Sequence, residues 1–338
     1  MKISILIPVY NGGDYIGETL RNLLSQNFGD YEVVIVDDCS TDNTIKIIKS
    51  FKDKRIKIFQ NKKNLGYPGN LEKCRKKAKN EIIYLLAQDD ILAKDALLNT
   101  YKAFKNHPKI GAVTRPYFWF DENPKIPVRA KKQLNPKKNE IVSINGNYEK
   151  IKRVFETVDQ LSGLAFRKKF FKLPFHKDIF TCHVYPFADI FKKHPVIFLK
   201  DYNTAVRIRS SQTRSLSSIY NKSPMQSWID MFDNVFYEPE FVALKNFMVK
   251  NFVATNYVGL IQMRNYGKYK YLLREIYLLL KYRTKNIFEP AFWFFAILTL
   301  IASPFLLIPL TDWYKSKILK KQLSFLRKQE SHRFRIRL

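Results

Sequence analysis

Short apolar runs rich in Ile, Val and Leu alternate with amphipathic stretches over the first 90 residues. The runs have the length of strands that are buried on both faces. The stretch at 14–27 has apolar residues at the spacing i, i+4, i+7 and i+8, which predicts an amphipathic helix. Strands alternating with helices predict an α/β fold, a mainly parallel sheet with helices on both faces. The predicted strands are 2–8, 32–37, 55–59 and 82–87, and the predicted helices are 14–27, a segment after 40–42 that ends at 51, and 69–79.

The rest of the chain divides by composition. Residues 121–140 are rich in Lys, Pro and Asn, which indicates a loop or a domain edge, and 141–210 mix strands and helices around aromatic residues. The pattern from 225 to 283 is helical and aromatic, and 288–310 is apolar except for Glu289. A helical part is therefore expected after the α/β part.

Positive charge is concentrated beyond the α/β part. The formal net charge is +29, yet residues 1–100 contain 16 Lys and Arg against 13 Asp and Glu. A surplus of this size favours phosphate-bearing partners such as nucleic acid, anionic lipid or nucleotides. The balanced α/β part and the lack of a helix-turn-helix, zinc or single-strand-binding signature argue against nucleic acid. The spacing of the three cysteines fits no metal-binding motif, and their odd number argues against a disulfide framework.

Polar residues follow three of the predicted strands. They are Tyr10, the pair Asp37 and Asp38, and the pair Asp89 and Asp90. The carboxyl ends of parallel strands meet at one edge of a sheet, where ligands bind. Carboxylates gathered there repel one another, and Mg²⁺ or Mn²⁺ bridging to a diphosphate removes that cost. A dinucleotide-dependent oxidoreductase is not indicated, because no Gly-x-Gly-x-x-Gly turn follows the first strand.

Four segments in this order resemble the family 2 glycosyltransferases with a GT-A fold: 3–11 (ISILIPVYN), 33–44 (VVIVDDCSTDNT), 64–66 (NLG) and 88–90 (QDD). The resemblance implies an inverting enzyme that moves a sugar from a nucleotide-sugar donor to a hydroxyl acceptor. A cell-envelope glycan or a lipid-linked precursor is the implied acceptor. The expected domains are a catalytic domain at 1–215, with a nucleotide-binding half at 1–120 and an acceptor half at 121–215, a helical extension at 216–285, and an apolar segment with a basic tail at 286–338.

The resemblance also implies roles at the donor site. Pro8 and Tyr10 would line the pocket for the base and the ribose. Asp38 would accept a hydrogen bond from the base, with Asp37 beside it. Uracil, thymine and guanine all remain open as the base.

The diphosphate is expected between two further motifs. Asp89 and Asp90 match the end of the Asp-x-Asp region, which implies that Asp89 contacts the ribose and the metal and that Asp90 contacts the metal. The implied cofactor is Mg²⁺ or Mn²⁺. Ala87 stands in place of the first Asp of that region. Arg207 and Arg209 resemble an Arg-x-His stretch that reaches the diphosphate, with Arg in place of His.

A general base is implied in a later acceptor segment. Asp189 in the stretch 187–191 (FADIF) matches it best and would deprotonate the acceptor hydroxyl. Ala188 replaces the acidic residue that usually precedes this Asp. Asp178 and His183 are rival candidates, because the spacing around them is poorly fixed.

The apolar run at 288–310 predicts a membrane-associated segment. Its length suffices for a helix that spans a bilayer, although Pro304 and Pro309 interrupt it. Basic residues on both sides favour a bent or re-entrant segment on an anionic membrane surface. The expected location is therefore the cytoplasmic face of the cell membrane. A single span and a soluble core helix are the alternatives.

The substitutions Ala87 and Ala188 leave a second function open. A glycosyltransferase-like membrane scaffold without catalytic activity would tolerate both of them. A basic nucleic-acid-binding protein is a further alternative, which the charge distribution disfavours.

Overall fold

The computed structural model describes residues 1–208, 217–314 and Phe334. The chain forms two compact units, of which the first contains residues 1–208 and Phe334 and the second contains 217–314. The strands are β1 (Ile3–Val9), β2 (Tyr31–Asp37), β3 (Ile56–Gln60), β4 (Ile82–Leu85), β5 (Ile91–Leu92), β6 (Ala112–Thr114), β7 (Tyr117–Phe120), β8 (Pro127–Ala130), β9 (Glu140–Val142), β10 (Ala165–Arg167), β11 (Val196–Phe198) and β12 (Thr204–Arg207). The helices are α1 (Ile16–Leu24), α2 (Thr44–Ser50), α3 (Gly66–Lys77), α4 (Ala96–Asn106), α5 (Tyr148–Phe155), α6 (Val184–Lys193), α7 (Pro224–Val235), α8 (Val242–Asn251), α9 (Gly259–Tyr266), α10 (Tyr269–Tyr282), α11 (Pro290–Ile301) and α12 (Pro304–Tyr314).

The main sheet of the first unit has eight strands in the order β3-β2-β1-β4-β10-β6-β11-β9. β1 pairs in parallel with β2 and β4, and β2 pairs in parallel with β3. β10 is antiparallel to β4 and β6, and β9 is antiparallel to β11. The predicted α/β fold is confirmed, and the sheet, which was predicted to be mainly parallel, is mixed.

Helices cover both faces of β1, which explains why this strand is apolar throughout. Ile3, Ile5 and Ile7 belong to a buried cluster that also contains Leu20 of α1. On the other face, α3 packs on β1 and β2. Burial of each such side chain contributes roughly 1.5–3 kcal/mol, so the central strands anchor the unit.

A second sheet has four strands in the order β5-β12-β7-β8. Its core includes Phe118, Phe120 and Tyr202, together with Phe334 from the end of the chain. The Phe334 side chain is fully buried, and its ring centroid lies 4.9 Å from that of Phe118. Phe334 was expected in a basic tail beyond a membrane segment, whereas it packs inside the first unit.

Replacing Phe334 with alanine should lower the free energy of unfolding by about 3 kcal/mol, because a buried aromatic ring is lost and a cavity remains. Equilibrium unfolding in guanidinium chloride measures this loss. Ile141→Ala is the control, since the Ile141 side chain is 51% exposed, and its loss should stay below about 1 kcal/mol. Equal losses in the two variants would contradict the burial of Phe334.

The apolar run at 288–310 is divided between α11 and α12. α11 ends at Ile301, where Ala302 turns to an extended conformation, and α12 begins at Pro304, which has no N–H to continue a helix. The 12 residues of α11 extend about 18 Å at 1.5 Å per residue, whereas the hydrocarbon core of a bilayer is roughly 30 Å thick. Within 1–208 and 217–314, no helix has the length and apolar character needed to cross a membrane.

The prediction of a membrane-associated segment at 286–338 is therefore wrong, and so is the predicted location at the cytoplasmic face of the cell membrane. Some of the apolar side chains pack against protein, whereas Phe294, Ile301 and Phe305 are exposed. Phe292 and Ala296 of α11 are buried, and the Phe292 ring lies 5.6 Å from that of Tyr257. Most of the basic tail after Tyr314 lies outside the described residues.

Candidate active site

The carboxyl ends of β1, β2 and β4 lie side by side, and this side of the main sheet is called the carboxyl edge here. Val9 of β1 is opposite Asp37 of β2, and Leu6 is opposite Leu85 of β4. The backbone N–H of Asp38 donates to the Val9 carbonyl at 2.8 Å. The polar residues that follow these strands are thereby brought together.

Asp37 shapes the turn that leaves β2. Its two carboxylate oxygens accept hydrogen bonds from the hydroxyl and the backbone N–H of Ser40. Cys39 within this turn has φ 64°, and Asn11 after β1 has φ 45°. Non-glycine residues in this region cost roughly 1–3 kcal/mol and cluster at functional sites. Asp37 therefore holds a strained loop in place at the carboxyl edge.

Asp38 is held rigidly from one side. Its Oδ1 accepts from Nδ2 of Asn61 at 2.6 Å and from the backbone N–H of Leu65 at 2.8 Å. Asn61 also donates to Asn70 of α3, which itself donates to the Val36 carbonyl at 2.9 Å. Within the described chain, Oδ2 of Asp38 has no hydrogen-bond partner. The carboxylate thus has one acceptor oxygen available to a ligand.

Gln88 ties the end of β4 to the end of β1, a role that the sequence analysis missed. Its Oε1 accepts from the Tyr10 N–H at 2.9 Å, and its Nε2 donates to the Tyr10 carbonyl at 3.1 Å. A Cβ atom at Gly12 would lie 2.5 Å from that Oε1, so a larger residue there would displace the Gln88 amide. The Tyr10 side chain is 38% exposed, and Pro8 is half-buried. The available signal was in the sequence at 87–90 (AQDD), which departs from the Asp-x-Asp pattern.

Asp90 is buried at the point where the two sheets meet. Its Oδ1 accepts from the backbone N–H of Arg207 at 2.9 Å, and its Oδ2 accepts from the hydroxyl of Ser162. The same hydroxyl accepts from the Ala87 N–H at 2.8 Å. Burial, and secondarily the Asp89 carboxylate, raise the pKa of Asp90 to about 8. Because protein donors engage both of its oxygens, this geometry favours an organising role for Asp90 over the predicted metal contact.

Asp89 is half-buried beside Asp90 at the same edge. Among the residues that the structure describes, no three His, Cys, Asp or Glu side chains are grouped so as to hold a metal ion. Mg²⁺ typically takes one or two protein carboxylates, with waters and substrate phosphates as its other ligands. These residues therefore fit a cation that is held jointly by Asp89 and a bound diphosphate, and they do not form a cage for a cation alone.

The Arg207 guanidinium is 7% exposed and is engaged by the protein itself. It forms a salt bridge with Glu18 of α1, and its Nε donates to the Asp89 carbonyl at 3.1 Å. It also lies over the rings of Phe120 and Tyr15, at 4.6 and 5.1 Å. Arg207 thus joins β12 to α1 at the carboxyl edge. Its predicted partner at the diphosphate, Arg209, lies outside the described residues.

Arg115 holds the loop that precedes β10, and the sequence analysis did not identify it. This fully buried side chain donates to the carbonyls of Thr157 at 2.9 Å and Gln160 at 2.8 Å. Gly163 has φ 88°, and a Cβ atom there would lie 2.6 Å from Nε of Arg115. The loop in turn presents Ser162 to Asp90. One signal was present, since Arg115 is a lone basic residue in an apolar stretch.

Asp189, the predicted base, lies within α6 and is paired with Lys193 at 2.7 Å. His194, at the end of this helix, contacts Gly111 just before β6. β6 runs parallel to β4, since both are antiparallel to β10, so the end of α6 lies at the sheet edge opposite the carboxyl edge. Asp189 is about 7.5 Å along the helix from its first residue, Val184, at 1.5 Å per residue. The structure does not bring Asp189 to the carboxyl edge.

The two rival bases differ in their surroundings. Oδ1 of Asp178 accepts from the backbone N–H groups of Phe180 and Thr181, which makes it a turn-capping residue. His183 lies at the amino end of α6 and is 4% exposed. Its Nε2 is 2.9 Å from the Val158 carbonyl, and its Nδ1 is 3.3 Å from the hydroxyl of Tyr67 in the first turn of α3. His183 is thus the candidate that lies at the carboxyl edge.

Comparison with known proteins finds matches in the half of the chain that contains this site. Residues 4–171 match the profile described as Glycosyl transferase family 2. The chain is 36% identical over 111 residues to the poly(ribitol-phosphate) beta-N-acetylglucosaminyltransferase TarS of Staphylococcus aureus, and 39% identical over 112 residues to a poly(ribitol-phosphate) beta-glucosyltransferase of Bacillus spizizenii. Each alignment covers 32% of this chain, and they cover 19% and 18% of the two relatives. The chain therefore matches about a fifth of the length of these relatives.

Solved structures share the fold over most of the chain. TarS residues 1–349 in complex with UDP-GlcNAc superpose with a TM-score of 0.63 at 19% identity, covering 83% of this chain and 80% of the other. The mannosyltransferase PcManGT from Pyrobaculum calidifontis, in complex with GDP-Man and Mn²⁺, superposes with a TM-score of 0.55 at 17% identity, covering 89% and 86%. These likenesses show that the fold is GT-A, and the profile match over residues 4–171 shows that the chain belongs to the family 2 glycosyltransferases.

Proposed function

We propose that this chain transfers a sugar from a uridine diphosphate sugar to a hydroxyl group of a cell-envelope glycan, with inversion at the anomeric carbon. The observation that carries the proposal is the geometry of Asp38 at the carboxyl edge, beside the exposed ring of Tyr10. A buried carboxylate with one oxygen open to a ligand is suited to recognise a single N–H group of a base.

The choice of base follows from the hydrogen bonds of Asp38. Uracil offers one N–H donor on its pairing edge, whereas guanine offers N–H and NH₂ donors together. A carboxylate binds guanine best with both oxygens, but Oδ1 of Asp38 already accepts from Asn61 and Leu65. The remaining Oδ2 matches uracil. Thymine presents the same donor and is distinguished by its methyl group. The UDP-GlcNAc complex of the structural relative TarS supports the same choice.

The diphosphate would lie between Asp89 and the strained loops after β1 and β2. Asp89 would hold Mg²⁺ or Mn²⁺, which when bound neutralises the charge that develops on the leaving diphosphate. Asp90, Ser162 and Arg207 would keep Asp89 in position through their buried hydrogen bonds. The protein thus contributes orientation, which can supply much of a rate enhancement.

The acceptor is proposed to be an anionic polymer of the cell envelope. Residues 101–338 contain 43 Lys and Arg against 17 Asp and Glu, and such a surplus attracts polyanions. The names of the two curated relatives, both poly(ribitol-phosphate) glycosyltransferases, support an acceptor whose backbone carries phosphate. This acceptor also accounts for the charge without a membrane.

The donor proposal predicts that UDP binds more tightly than GDP and that Asp38→Ala weakens UDP binding by about 10-fold or more. The reason is the loss of a hydrogen bond to a charged acceptor, worth roughly 1.5–3 kcal/mol. Titration calorimetry with UDP, dTDP and GDP in the presence of Mg²⁺ measures both effects. Asp30→Ala is the matched control, because Asp30 is exposed and its carbonyl bonds the amino end of β1.

Two outcomes would change the proposal. GDP binding as tight as UDP binding, or an unchanged UDP affinity in folded Asp38→Ala, would remove Asp38 from base recognition. UDP binding without release of UDP from any UDP-sugar would favour the inactive scaffold that Ala87 and Ala188 leave open.

A further inference from the structure

The proposed reaction needs a group that removes the proton of the acceptor hydroxyl. The fold limits which of Asp189, Asp178 and His183 this group can be. The acceptor must attack from the carboxyl edge, where the donor would lie. Asp189 is about one and a half helical turns away from the end of α6 at that edge, and Asp178 caps a turn with its Oδ1. His183 is at the correct end of the helix.

The hydrogen bonds of His183 define its tautomer. A carbonyl oxygen accepts but cannot donate, so the 2.9 Å contact with Val158 requires the proton on Nε2. In the neutral ring the lone pair is then on Nδ1, which faces the Tyr67 hydroxyl at 3.3 Å. Val158 lies in the same loop as Ser162, and Tyr67 follows closely on Leu65, which holds Asp38. The basic nitrogen is therefore fixed toward the donor side of the site.

We infer that His183 and Tyr67 together accept the proton of the acceptor hydroxyl, an inference that rests on the proposed function. The acceptor O–H bond breaks as its oxygen forms a bond to the anomeric carbon. The bond from that carbon to the diphosphate oxygen breaks, and its electron pair leaves with UDP. The proton passes to the Tyr67 oxygen, while Tyr67 gives its own proton to Nδ1 of His183. Tyr67 is the group that touches the substrate, and His183 acts through it.

The electrostatic surroundings suit this role at neutral pH. Burial, with a smaller contribution from nearby Arg115, lowers the pKa of His183 to about 4, although the Val158 carbonyl and Asp159 oppose the shift. An ordinary Asp carboxyl has a pKa of about 3.9, so the imidazole matches the basicity of the carboxylate that the family resemblance implies. Burial also raises the pKa of Tyr67, which keeps its proton available for transfer.

The first experiment compares His183→Gln, Tyr67→Phe and Asp189→Asn. Gln retains an N–H for the Val158 carbonyl but has no basic nitrogen, so kcat should fall by about 10²–10⁴-fold. Tyr67→Phe should lower kcat by at least about 10-fold, and Asp189→Asn, the control, should lower it by less than about 2-fold. UDP release from UDP-GlcNAc with poly(ribitol phosphate) as the added polymer gives kcat, and calorimetry with UDP should show donor affinities within about 2-fold of the wild type.

The second experiment uses pH and chemical rescue. On the acid side, the wild-type rate should show a limb as pH falls toward about 4 that His183→Gln lacks, because the imidazole must be neutral to accept a proton. Imidazole added to His183→Ala should restore part of the turnover, with an acid limb near 6.5, the pKa of an unperturbed imidazole. If His183 had only a structural role, the acid limb of the pH–rate profile would not move from about 4 in the wild type to about 6.5 in the rescued variant.

The outcomes separate the two proposals. Wild-type turnover in His183→Gln or in Tyr67→Phe, or a 10²-fold loss in Asp189→Asn, would overturn the assignment and leave the transferase proposal standing. A wild-type protein that neither binds UDP nor releases it from UDP-GlcNAc would overturn the proposed function, and the assignment of His183 with it.

Discussion

Replacing Asp89 with asparagine should lower the rate of sugar transfer by about 10³-fold while the protein remains folded. Asp89 is half-buried at the carboxyl edge and matches the end of the Asp-x-Asp region, whereas Asp90 is fully enclosed by protein. We therefore assign Asp89 to the divalent cation because it is the more accessible of the two carboxylates. Charge stabilisation by a metal ion is worth several kcal/mol, and each 1.36 kcal/mol corresponds to a factor of ten in rate. Initial rates of UDP release in Mg²⁺ or Mn²⁺ measure the loss.

The same assignment predicts that excess chelator abolishes wild-type turnover and that added Mg²⁺ or Mn²⁺ restores it. Asp30→Asn is the control for Asp89→Asn, because this exposed carboxylate lies at the opposite edge of the sheet. Full turnover in chelator would show that no divalent cation is needed, and the charge of the diphosphate would then have to be stabilised by side chains alone.

Arg207→Met should lower the free energy of unfolding by about 3 kcal/mol. The substitution keeps an apolar stem but removes the guanidinium that bonds Glu18 and the Asp89 carbonyl. Breaking a buried ion pair typically costs 3–5 kcal/mol, since one charge remains without its partner. We take the lower value because Glu18 is 25% exposed. Guanidinium unfolding of Arg207→Met and of the double variant Arg207→Met, Glu18→Gln measures the effect.

The double variant should regain part of the lost stability, because it no longer contains the Glu18 carboxylate that Arg207→Met leaves without a partner. This test also separates two roles for Arg207. A side chain that only clamps a diphosphate would leave the unfolding free energy unchanged and weaken UDP binding. That result would restore the role that was predicted from the sequence, in which the guanidinium contacts the ligand.

The sequence predicted the central strands and the donor half of the site for a local reason. A strand buried on both faces must be apolar throughout, so β1 and β2 are recognisable in the sequence as apolar runs. The polar residues that come directly after these runs mark the carboxyl ends of the strands. Tyr10 is the first residue after β1, and Asp38 is the first residue after β2. Their proximity can therefore be predicted with little tertiary information.

The position of the predicted base relative to the carboxyl edge was harder to predict, because α6 is amphipathic along its whole length. Periodicity places Asp189 on a polar position of this helix, but it does not say which end of the helix meets the carboxyl edge. That end is decided by contacts with distant segments, namely Val158 and Tyr67 at His183 and Gly111 at His194.

The apolar run at 288–310 misled the sequence analysis for a physical reason. Hydropathy is a property of composition, and it does not show where a helix begins and ends. Helix length decides whether a segment can span a bilayer, and Ala302–Pro304 divides the run into helices of 12 and 11 residues.

The sequence by itself determined the family, the alternation of strands and helices, and the edge at which the donor residues meet, since all of these depend on local patterns. Tertiary structure decided the roles of chemically equivalent neighbours. Asp89 and Asp90 are adjacent and identical in type, yet Asp90 is sealed by Ser162 and Arg207 from segments at least 70 residues away. Phe334 is likewise placed by the core of a sheet whose strands precede it by more than 120 residues. Contacts over such separations depend on how the elements pack, and no local pattern encodes them.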